Sequence, residues 1–218
     1  MDIFAALETF PLISDLPSDE LRALAERLEV HKFSKSEYVL LHHQDSSSLY
    51  FIFDGTVRIL VTEDEKETIL AEFSRGDIIG EIALVSDSIR TADVLALSDT
   101  TVLELKRDGF VEHSKVHQGF GFLLMRILAD RLRATSELFA ETAVLNVEAR
   151  LERMLIRLGE EGTTPENVPA LVVSPRPTHS ELASRIGTSR ELVTRGLKSL
   201  EKKGAIQTEK DAFFILEE

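Results

Sequence analysis

The feature that most constrains the fold is a long helical stretch, FLLMRILADRLRATSELFAETAVL, which spans residues 122 to 145 and contains neither proline nor glycine. Apolar residues recur through it at helical spacing, and we expect the helix to begin at about His117. Before it, from residue 30 to residue 105, short apolar runs alternate with turn residues, as in β structure. The chain therefore divides into a β-rich part and a helical part, which predicts an α+β fold.

The long helix carries a stripe with 4-3-4-3-4-3 spacing, typical of the a and d positions of a two-stranded coiled coil. Its members are Leu124, Leu128, Arg131, Thr135, Leu138, Thr142 and Leu145. An adjoining apolar row, Met125, Leu132 and Phe139, widens the stripe, and we expect this row to pack on the β-rich domain. The pattern predicts a homodimer, and it leaves open the alternative of a helix buried against its own domain.

The β-rich part is expected to follow a helical N-terminal region, residues 3 to 29, with Ser18 as a helix start signal. In YFIFDGTVRILV the Asp54-Gly55 pair favours a β-hairpin, because a type I′ turn needs residues that tolerate positive φ. Further short strands are expected at residues 39–41, 68–73, 91–97 and 101–106. Short strands separated by turn residues indicate a small antiparallel barrel or jelly roll.

The long helix is expected to end near Asn146, which can cap a new helix that runs to Leu158. This places a hinge at residues 145 to 147. A loop-rich connector with one short apolar strand, residues 171–173, follows. We therefore expect a β-roll domain over residues 1–116, a dimerisation helix and hinge over 117–145, and a winged helix-turn-helix domain over 146–218.

The segment THSELASRIGTSRELVTRGLKSLEKKGAI predicts two capped helices joined by a tight turn. Thr178 caps the first helix, with Glu181 three residues later as a capping box, and Gly187 ends it because positive φ costs glycine little. Ser189 caps the second helix. The residues expected to face inward are Leu192, Val193, Leu197 and Leu200. KKGAIQTEKDAFFILEE then predicts a β-hairpin, the wing.

Charge is distributed unevenly along the chain. The net charge of −13 argues against non-specific coating of nucleic acid. Between residues 176 and 203, however, the sequence contains seven Lys or Arg and three Glu, a local net charge of +4. Arg190, Glu191 and Thr194 project from the first turns of the second helix, with Arg195 nearby. Arginine can pair with guanine and glutamate can accept from cytosine, so these residues favour DNA reading over a merely solvated surface.

The segment IIGEIALVSDSIRTADV, residues 78 to 94, places a carboxylate and a guanidinium in what is predicted to be a buried strand. Burial of either charge is costly unless it is paired. Glu81 and Arg90 either bridge each other or hold a polar ligand between them. In the second interpretation Gly80 permits close backbone approach, Glu81 accepts from a sugar hydroxyl, and Arg90 with Thr91 binds a phosphate. Those chemistries together describe a nucleotide.

Several classes of protein are disfavoured. The chain has no cysteine, which excludes disulfides and thiol catalysis. Its six histidines are scattered along the sequence, so no metal site is expected. No phosphate loop or nucleophile elbow appears, and we expect no enzyme activity. The N-terminus lacks the features of a signal peptide and no long apolar span follows, so we expect a cytoplasmic protein without a membrane partner.

At GDIIGEIAL followed by IRTADV the sequence resembles the phosphate-binding cassette of cyclic-nucleotide-binding domains. With LYFIFDGTVRIL before it, RATSE in the long helix and TSRELVTRGLKSLE at the end, the chain resembles the CRP/FNR superfamily of transcription factors, in particular its cAMP receptor proteins. The resemblance covers about residues 10 to 216. It implies a cyclic-nucleotide-binding β-roll, a long dimerisation helix and a winged helix-turn-helix.

The resemblance also implies roles for individual residues. The implied ligand-binding positions are Gly80, Glu81, Ile82, Arg90, Thr91, Arg131, Thr135 and Ser136. Of these, Glu81 would contact the ribose, and Arg90 and Thr91 would hold the cyclic phosphate. Thr135 and Ser136 would contact adenine, and Arg131 would lie near Glu81. The implied DNA-binding positions are Thr178, His179, Ser189, Arg190, Glu191 and Arg195. The sequence departs from the cAMP receptor proteins that it resembles at His179 and Leu192, where those proteins carry Arg and Thr.

The expected function is that of a homodimeric regulator whose affinity for double-stranded DNA is switched by cAMP, without a metal. The resemblance implies a palindromic site with TGTGA-like half-sites and RNA polymerase as a further partner. Cyclic di-GMP, cGMP or no ligand at all remain alternative inputs. A hypothesis of a different class, the cyclic-nucleotide-binding regulatory subunit of an enzyme or channel, does not explain the capped basic helix pair.

Overall fold

The computed structural model describes residues 2–64, 66–86 and 89–216. Asp87 and Ser88 of the cassette segment, and Glu217 and Glu218 of the wing segment, lie outside the described residues. The described residues form two compact units: residues up to 63 together with 69–133, and residues 64 and 66–68 together with 134–216. Among the described residues, no helix combines the length and apolar content that a membrane span requires.

The first unit is built on two four-stranded sheets whose described pairings are antiparallel. The strands are β1 (Leu28–Phe33), β2 (Tyr38–Leu40), β3 (Leu49–Asp54), β4 (Thr56–Glu63), β5 (Lys66–Ser74), β6 (Ile78–Ile79), β7 (Asp93–Ala96) and β8 (Thr100–Leu105). One sheet has the order β1-β8-β3-β6 and the other the order β2-β7-β4-β5. This arrangement confirms the predicted β-roll.

The alternation of side chains along β3 serves two separate cores. Leu49 and Phe51 pack into a core with the helices of the unit. Tyr50 and Ile52 point the other way, into a core shared with the strands of the second sheet. The helices are α1 (Ile3–Glu8), α2 (Ser18–Ala25), α3 (Glu81–Ser86), α4 (Arg107–Ser114) and α5 (Gly119–Val144).

Three local predictions for this unit are wrong. Residues 3–29 are not one helical region, because the segment between α1 and α2 contains Pro11 and Pro17, which cannot continue a helix, and β1 already begins at Leu28. Gly55 has the expected positive φ, +94°, but β3 and β4 belong to different sheets and do not form a hairpin. The cassette segment is not one buried strand, because β6 ends at Ile79, Glu81–Ser86 form the helix α3, and β7 begins only at Asp93.

The long helix α5 is confirmed, and its start is fixed by a buried carboxylate. Glu20 accepts a hydrogen bond from the backbone N–H of Phe120 at 2.7 Å, which satisfies one of the free donors at the beginning of the helix. Leu124 is buried in the core of the first unit, so the predicted seam begins inside its own domain. The row Met125, Leu132 and Phe139 was expected to pack on the β domain, but it is 60 to 75% exposed.

The second unit contains the predicted winged helix-turn-helix. Its elements are α6 (Val147–Leu158), β9 (Glu160–Thr163), β10 (Pro169–Val173), α7 (His179–Ile186), α8 (Arg190–Lys203), β11 (Ile206–Thr208) and β12 (Phe213–Ile215). The strands form one antiparallel sheet in the order β11-β12-β10-β9, in which β11 and β12 are the predicted wing. The connector has two strands rather than the single one predicted.

Candidate functional site

The backbone at Gly80 is shaped so that only glycine fits. Its φ is +81°, and a Cβ there would lie 2.7 Å from Nη1 of Arg90 and 2.8 Å from the carbonyl oxygen of Ser48. A side chain would therefore be strained by the backbone and would also collide with two fixed groups. Gly80 joins the end of β6 to the first residue of α3, and its carbonyl oxygen accepts a hydrogen bond from Nη1 of Arg90 at 3.1 Å.

The Arg90 side chain lies inside this turn and is only 3% exposed. Its Nη2 donates to the carbonyl oxygen of Ser48 at 2.7 Å and to Oγ of Ser46 at 2.9 Å. Its Nε is buried and has no hydrogen-bond partner. Burial lowers the pKa of Arg90 below its ordinary value, although the acidic groups nearby favour the charged form. A buried guanidinium held by carbonyls, with one donor unused, is suited to an anionic ligand.

Glu81 is equally buried, at 3% exposure, and pairs with a residue of the long helix. Its Oε2 lies 2.5 Å from Nη1 of Arg131, and Nη2 of Arg131 also donates to the carbonyl oxygen of Ile78. The alternative in which Glu81 and Arg90 bridge each other is therefore wrong. The two charges have separate partners, and Arg131 lies near Glu81 as the resemblance implied.

The other predicted ligand positions are more open. Ile82 is 45% exposed on α3, and Thr91 is exposed directly after Arg90. Thr135 and Ser136 lie on α5 in the part that belongs to the second unit, and both are exposed. The structure thus brings Gly80, Glu81 and Arg90 together in the first unit. Thr91 directly follows Arg90 in the sequence.

Sequence reasoning missed three residues that support Arg90. The loop before β3 supplies Ser46 and Ser48, and the ring of Tyr50 lies 5.8 Å from the Arg90 guanidinium carbon. Burial, with the nearby carboxylate of Glu104, raises the pKa of Tyr50, whose hydroxyl donates to that carboxylate at 3.1 Å. The sequence signal for these residues was the run of three serines, residues 46 to 48, directly before an apolar strand. Serine hydroxyls and backbone carbonyls can accept hydrogen bonds from a buried cation.

In the second unit the predicted helix caps are confirmed. Oγ1 of Thr178 accepts from the backbone N–H of Glu181 at 3.1 Å, and Oγ of Ser189 accepts from that of Leu192 at 3.3 Å. Gly187 ends α7 with φ +63°. Val193, Leu197 and Leu200 are buried as expected, but Leu192 is 36% exposed and does not face inward. Leu192 follows the N-cap by three residues and lies outside the buried stripe of α8.

The exposed start of α8 presents the predicted reading residues. Arg190, Glu191 and Arg195 are all exposed, while Thr194 is half-buried. A hydrogen bond from its own backbone N–H, and another from the hydroxyl of Ser189, hold the pKa of Glu191 below its ordinary value, so this side chain is an acceptor. The arrangement offers two cationic donors and one anionic acceptor on the same exposed part of a capped helix.

His179 is tied to this helix by a directional hydrogen bond. The hydroxyl of Thr194 donates to the carbonyl oxygen of Arg190 at 2.9 Å, so Nδ1 of His179, 2.8 Å away, donates to the same hydroxyl oxygen. The neutral imidazole therefore carries its lone pair on Nε2. Burial and the guanidinium groups of Arg176 and Arg190 lower the pKa of His179.

Two family models match this chain. Residues 30–115 match the cyclic nucleotide-binding domain, and residues 149–218 match the Crp-like helix-turn-helix domain. The first match contains Gly80, Glu81, Arg90 and Thr91, and the second contains both capped helices and the wing. The two sites described above thus fall in domains of recognised type.

Curated relatives match over most of their length. The cAMP-activated global transcriptional regulator CRP of Salmonella typhimurium is 30% identical over 182 residues, covering 81% of this chain and 84% of that protein. The cAMP-activated global transcriptional regulator Vfr of Pseudomonas aeruginosa is 30% identical over 196 residues, covering 86% and 88%. Among solved structures, the c-di-GMP responsive regulator CLP of Xanthomonas campestris has a TM-score of 0.77 at 20% identity, covering 93% and 100%, which shows a shared fold.

Proposed function

This chain belongs to the CRP/FNR family of cyclic-nucleotide-responsive, DNA-binding transcription regulators, and on that premise we propose that cAMP is its effector and binds at Gly80, Glu81 and Arg90. The observation that supports a cyclic phosphate most directly is the buried Arg90 guanidinium, whose Nε has no partner. A phosphate oxygen would accept from that donor and offset the cost of burying the charge. The hydroxyl of Thr91 would donate a further hydrogen bond to the same phosphate.

The ribose and the base are assigned to the other residues of the site. Glu81 is an acceptor held in place by Arg131, so it is suited to a ribose hydroxyl. Gly80 and Ile82 flank it and would shape the pocket around the sugar. We assign adenine recognition to Thr135 and Ser136, one helical turn beyond Arg131 on α5, because their hydroxyls can both donate to and accept from the edge of a base.

The active protein is proposed to be a homodimer paired through α5. Phe122, Met125, Leu132 and Phe139 are 60 to 75% exposed and follow heptad spacing, an apolar stripe that a monomer would leave in water. This stripe is shifted from the one that the sequence pattern predicts, because Leu124 is used in the core of its own domain. Ser136 lies in the shifted stripe, which supports its assignment to a nucleotide in the pocket of the second subunit.

The DNA-binding residues are proposed to be Thr178, His179, Ser189, Arg190, Glu191 and Arg195. The exposed side chains on α8 would read base edges in the major groove, while the capping residues at the helix N-termini would contact phosphates. A twofold dimer would then read an inverted repeat, for which we propose TGTGA-like half-sites, with RNA polymerase as the downstream partner. We propose that the domains are residues 1–116, 117–145 and 146–218. The alternative of an enzyme's regulatory subunit does not explain the Crp-like helix-turn-helix domain at residues 149–218.

The proposal is tested by calorimetric titration of the full-length protein with cAMP, cGMP and cyclic di-GMP. We expect saturable binding of cAMP that is tighter than that of the other two. Thr91→Ala should weaken binding, and it should disturb the folding of the protein little because Thr91 is exposed. Arg90→Gln should abolish binding, with thermal unfolding as the check that it is folded. Preferential binding of cyclic di-GMP would reassign the effector, and absence of binding by all three would contradict the proposal.

A further inference from the structure

A second cluster of polar side chains lies away from the nucleotide site, at the edge of the first sheet. Glu29 and His31 are two residues apart on the edge strand β1 and therefore share a face, and Glu104 on β8 lies directly opposite Glu29 in the antiparallel register. The available imidazole nitrogen and carboxylate oxygens of the three residues all lie within 4.8 Å of one another. We propose that this cluster, the edge-strand cluster, binds a divalent transition-metal ion such as Zn²⁺.

Glu104 is already held in the orientation that a ligand needs. Its Oε1 accepts from the hydroxyl of Tyr50 at 3.1 Å, which leaves Oε2 directed at Nε2 of His31, 2.7 Å away. Hydrogen bonds of this kind from outside the coordination sphere fix the direction of a metal-binding carboxylate. Nε2 of His31 is itself buried, and Oε2 of Glu104 lies 2.7 Å from it.

The spacing of the three groups suits a small ion. Zinc binds imidazole nitrogen and carboxylate oxygen at about 2.0 to 2.2 Å, so neighbouring ligand atoms around a tetrahedral ion are about 3.4 Å apart. The shortest separation between ligand atoms in the cluster is 2.7 Å and none exceeds 4.8 Å, so the separations are compatible with that value. An imidazole ligand favours zinc and its neighbours over Mg²⁺ or Ca²⁺, and three protein ligands leave one coordination position open.

The charges in the cluster are compatible with a cation. Glu29 and Glu104 face each other across two strands, where like charges are destabilising. Lys106 lies at the same place, with its Nζ 2.6 Å from Oε1 of Glu29, and both of these side chains are more than half exposed. An exposed ion pair contributes little, so a metal ion can displace the ammonium group at small cost. Lys106 is thus a competitor for the proposed site.

The sequence pattern predicts no metal site, and the proposed cluster departs from that expectation. Glu29 and His31 form a Glu-x-His pair on one strand face, which is a weak local signal. Glu104 follows far along the chain, and only the pairing of β1 with β8 brings it to the pair.

The test is a titration of the full-length, metal-free protein with Zn²⁺ in competition with a chromogenic chelator. We expect one zinc ion per chain, with affinity reduced about tenfold or more in His31→Gln and in Glu29→Gln. Glu104→Gln should act in the same way, but its hydrogen bond to Tyr50 makes it the variant to check for folding. Lys106→Ala should bind zinc at least as tightly as the wild type, because the exposed ammonium group is only a weak competitor.

The matched control is a stacked pair of histidines elsewhere in this unit. His42 and His43 are stacked with their ring centroids 3.6 Å apart in the loop before Ser46, and His42→Gln with His43→Asn should leave zinc affinity unchanged. The site is overturned if wild-type protein binds no zinc, or if the His42 and His43 variant loses zinc while His31→Gln keeps it. Unchanged affinity in Glu29→Gln would also overturn it, because Glu29 could not then be a ligand.

Discussion

Glu81 and Arg131 form an ion pair in which 2.5 Å separates Oε2 from Nη1, and it connects the first residue of α3 to the middle of α5. The Glu81 side chain is 4% exposed and that of Arg131 29% exposed. The pair therefore ties the proposed nucleotide site to the helix that carries the exposed apolar stripe. A ligand that contacts Glu81 acts on a group already joined to α5.

The first prediction concerns the strength of this pair. In a double-mutant cycle with Glu81→Gln and Arg131→Met, we expect a coupling free energy of about 1 to 3 kcal/mol, because each partner alone would leave a poorly solvated charge. Chemical unfolding in the absence of nucleotide measures it. The matched control is the exposed pair of Glu29 and Lys106, which should show no measurable coupling. Equal coupling in the two cycles would contradict the structural importance of the buried pair.

The second prediction compares two glycines with positive φ. Gly76 has φ +97°, and an added Cβ would meet only Cδ of Pro11, at 3.4 Å, whereas the same atom at Gly80 would collide with Arg90 and Ser48. Gly76→Ala should therefore cost about 1 kcal/mol of unfolding free energy and Gly80→Ala about 3 kcal/mol or more. Gly80→Ala should also weaken nucleotide binding, because it displaces the Arg90 guanidinium. Similar losses of stability at both positions would show that the turn relaxes freely.

The fold was predictable where a local signal is strong. The caps at Asn146, Thr178 and Ser189 were read from the sequence, because one side-chain oxygen three residues before a backbone N–H is a local arrangement. The assignment of β3 and β4 to different sheets was not readable, since a glycine with positive φ is compatible with either a hairpin or a crossing between sheets. That choice depends on pairing with β7 and β8, which are distant in sequence.

The third prediction is that DNA affinity depends on pH through His179. In the free protein burial and two guanidinium groups lower the pKa of His179, so it is neutral at pH 7. A DNA phosphate at Nε2 would favour the protonated form, so binding takes up a proton and affinity should rise as the pH falls through and below the ordinary histidine pKa of about 6.5. Fluorescence anisotropy with a labelled duplex between pH 5.5 and 8 measures this dependence.

Two variants separate His179 from other titrating groups. His179→Gln should remove most of the pH dependence while it preserves a hydrogen-bonding side chain. His179→Arg should raise affinity at pH 8, because the charge no longer requires a proton. If His179→Gln retains the pH dependence of the wild type, another group carries it and the assignment is wrong.

The fourth prediction concerns base reading by α8. Arg190→Ala should weaken binding to the preferred duplex about tenfold or more and relax the sequence preference at one position of each half-site. Lys202→Ala, at the C-terminal end of the same helix, is the control and should leave the sequence preference unchanged. Selection from randomised duplexes with both variants measures the preference. An identical preference in Arg190→Ala and wild type would remove Arg190 from the reading residues.

The candidate nucleotide site was partly readable from sequence. The charges of Glu81 and Arg90 stood out because buried ions need partners, yet the sequence could not decide between a mutual bridge and separate partners. The actual partners are Arg131, 50 residues after Glu81, and the carbonyl of Ser48, 42 residues before Arg90, and they meet the site only after the sheets form. Backbone carbonyls in particular leave no trace in the residue types.

The most direct test of the account is the affinity for DNA with and without cAMP, measured by fluorescence anisotropy on a duplex that contains an inverted repeat of TGTGA. Allosteric coupling of ordinary size predicts that saturating cAMP tightens binding about 5- to 150-fold. Arg90→Gln should bind the duplex with the ligand-free affinity whether or not cAMP is present. Equal affinity of the wild-type protein with and without cAMP, or a full cAMP response in Arg90→Gln, would contradict the central claim.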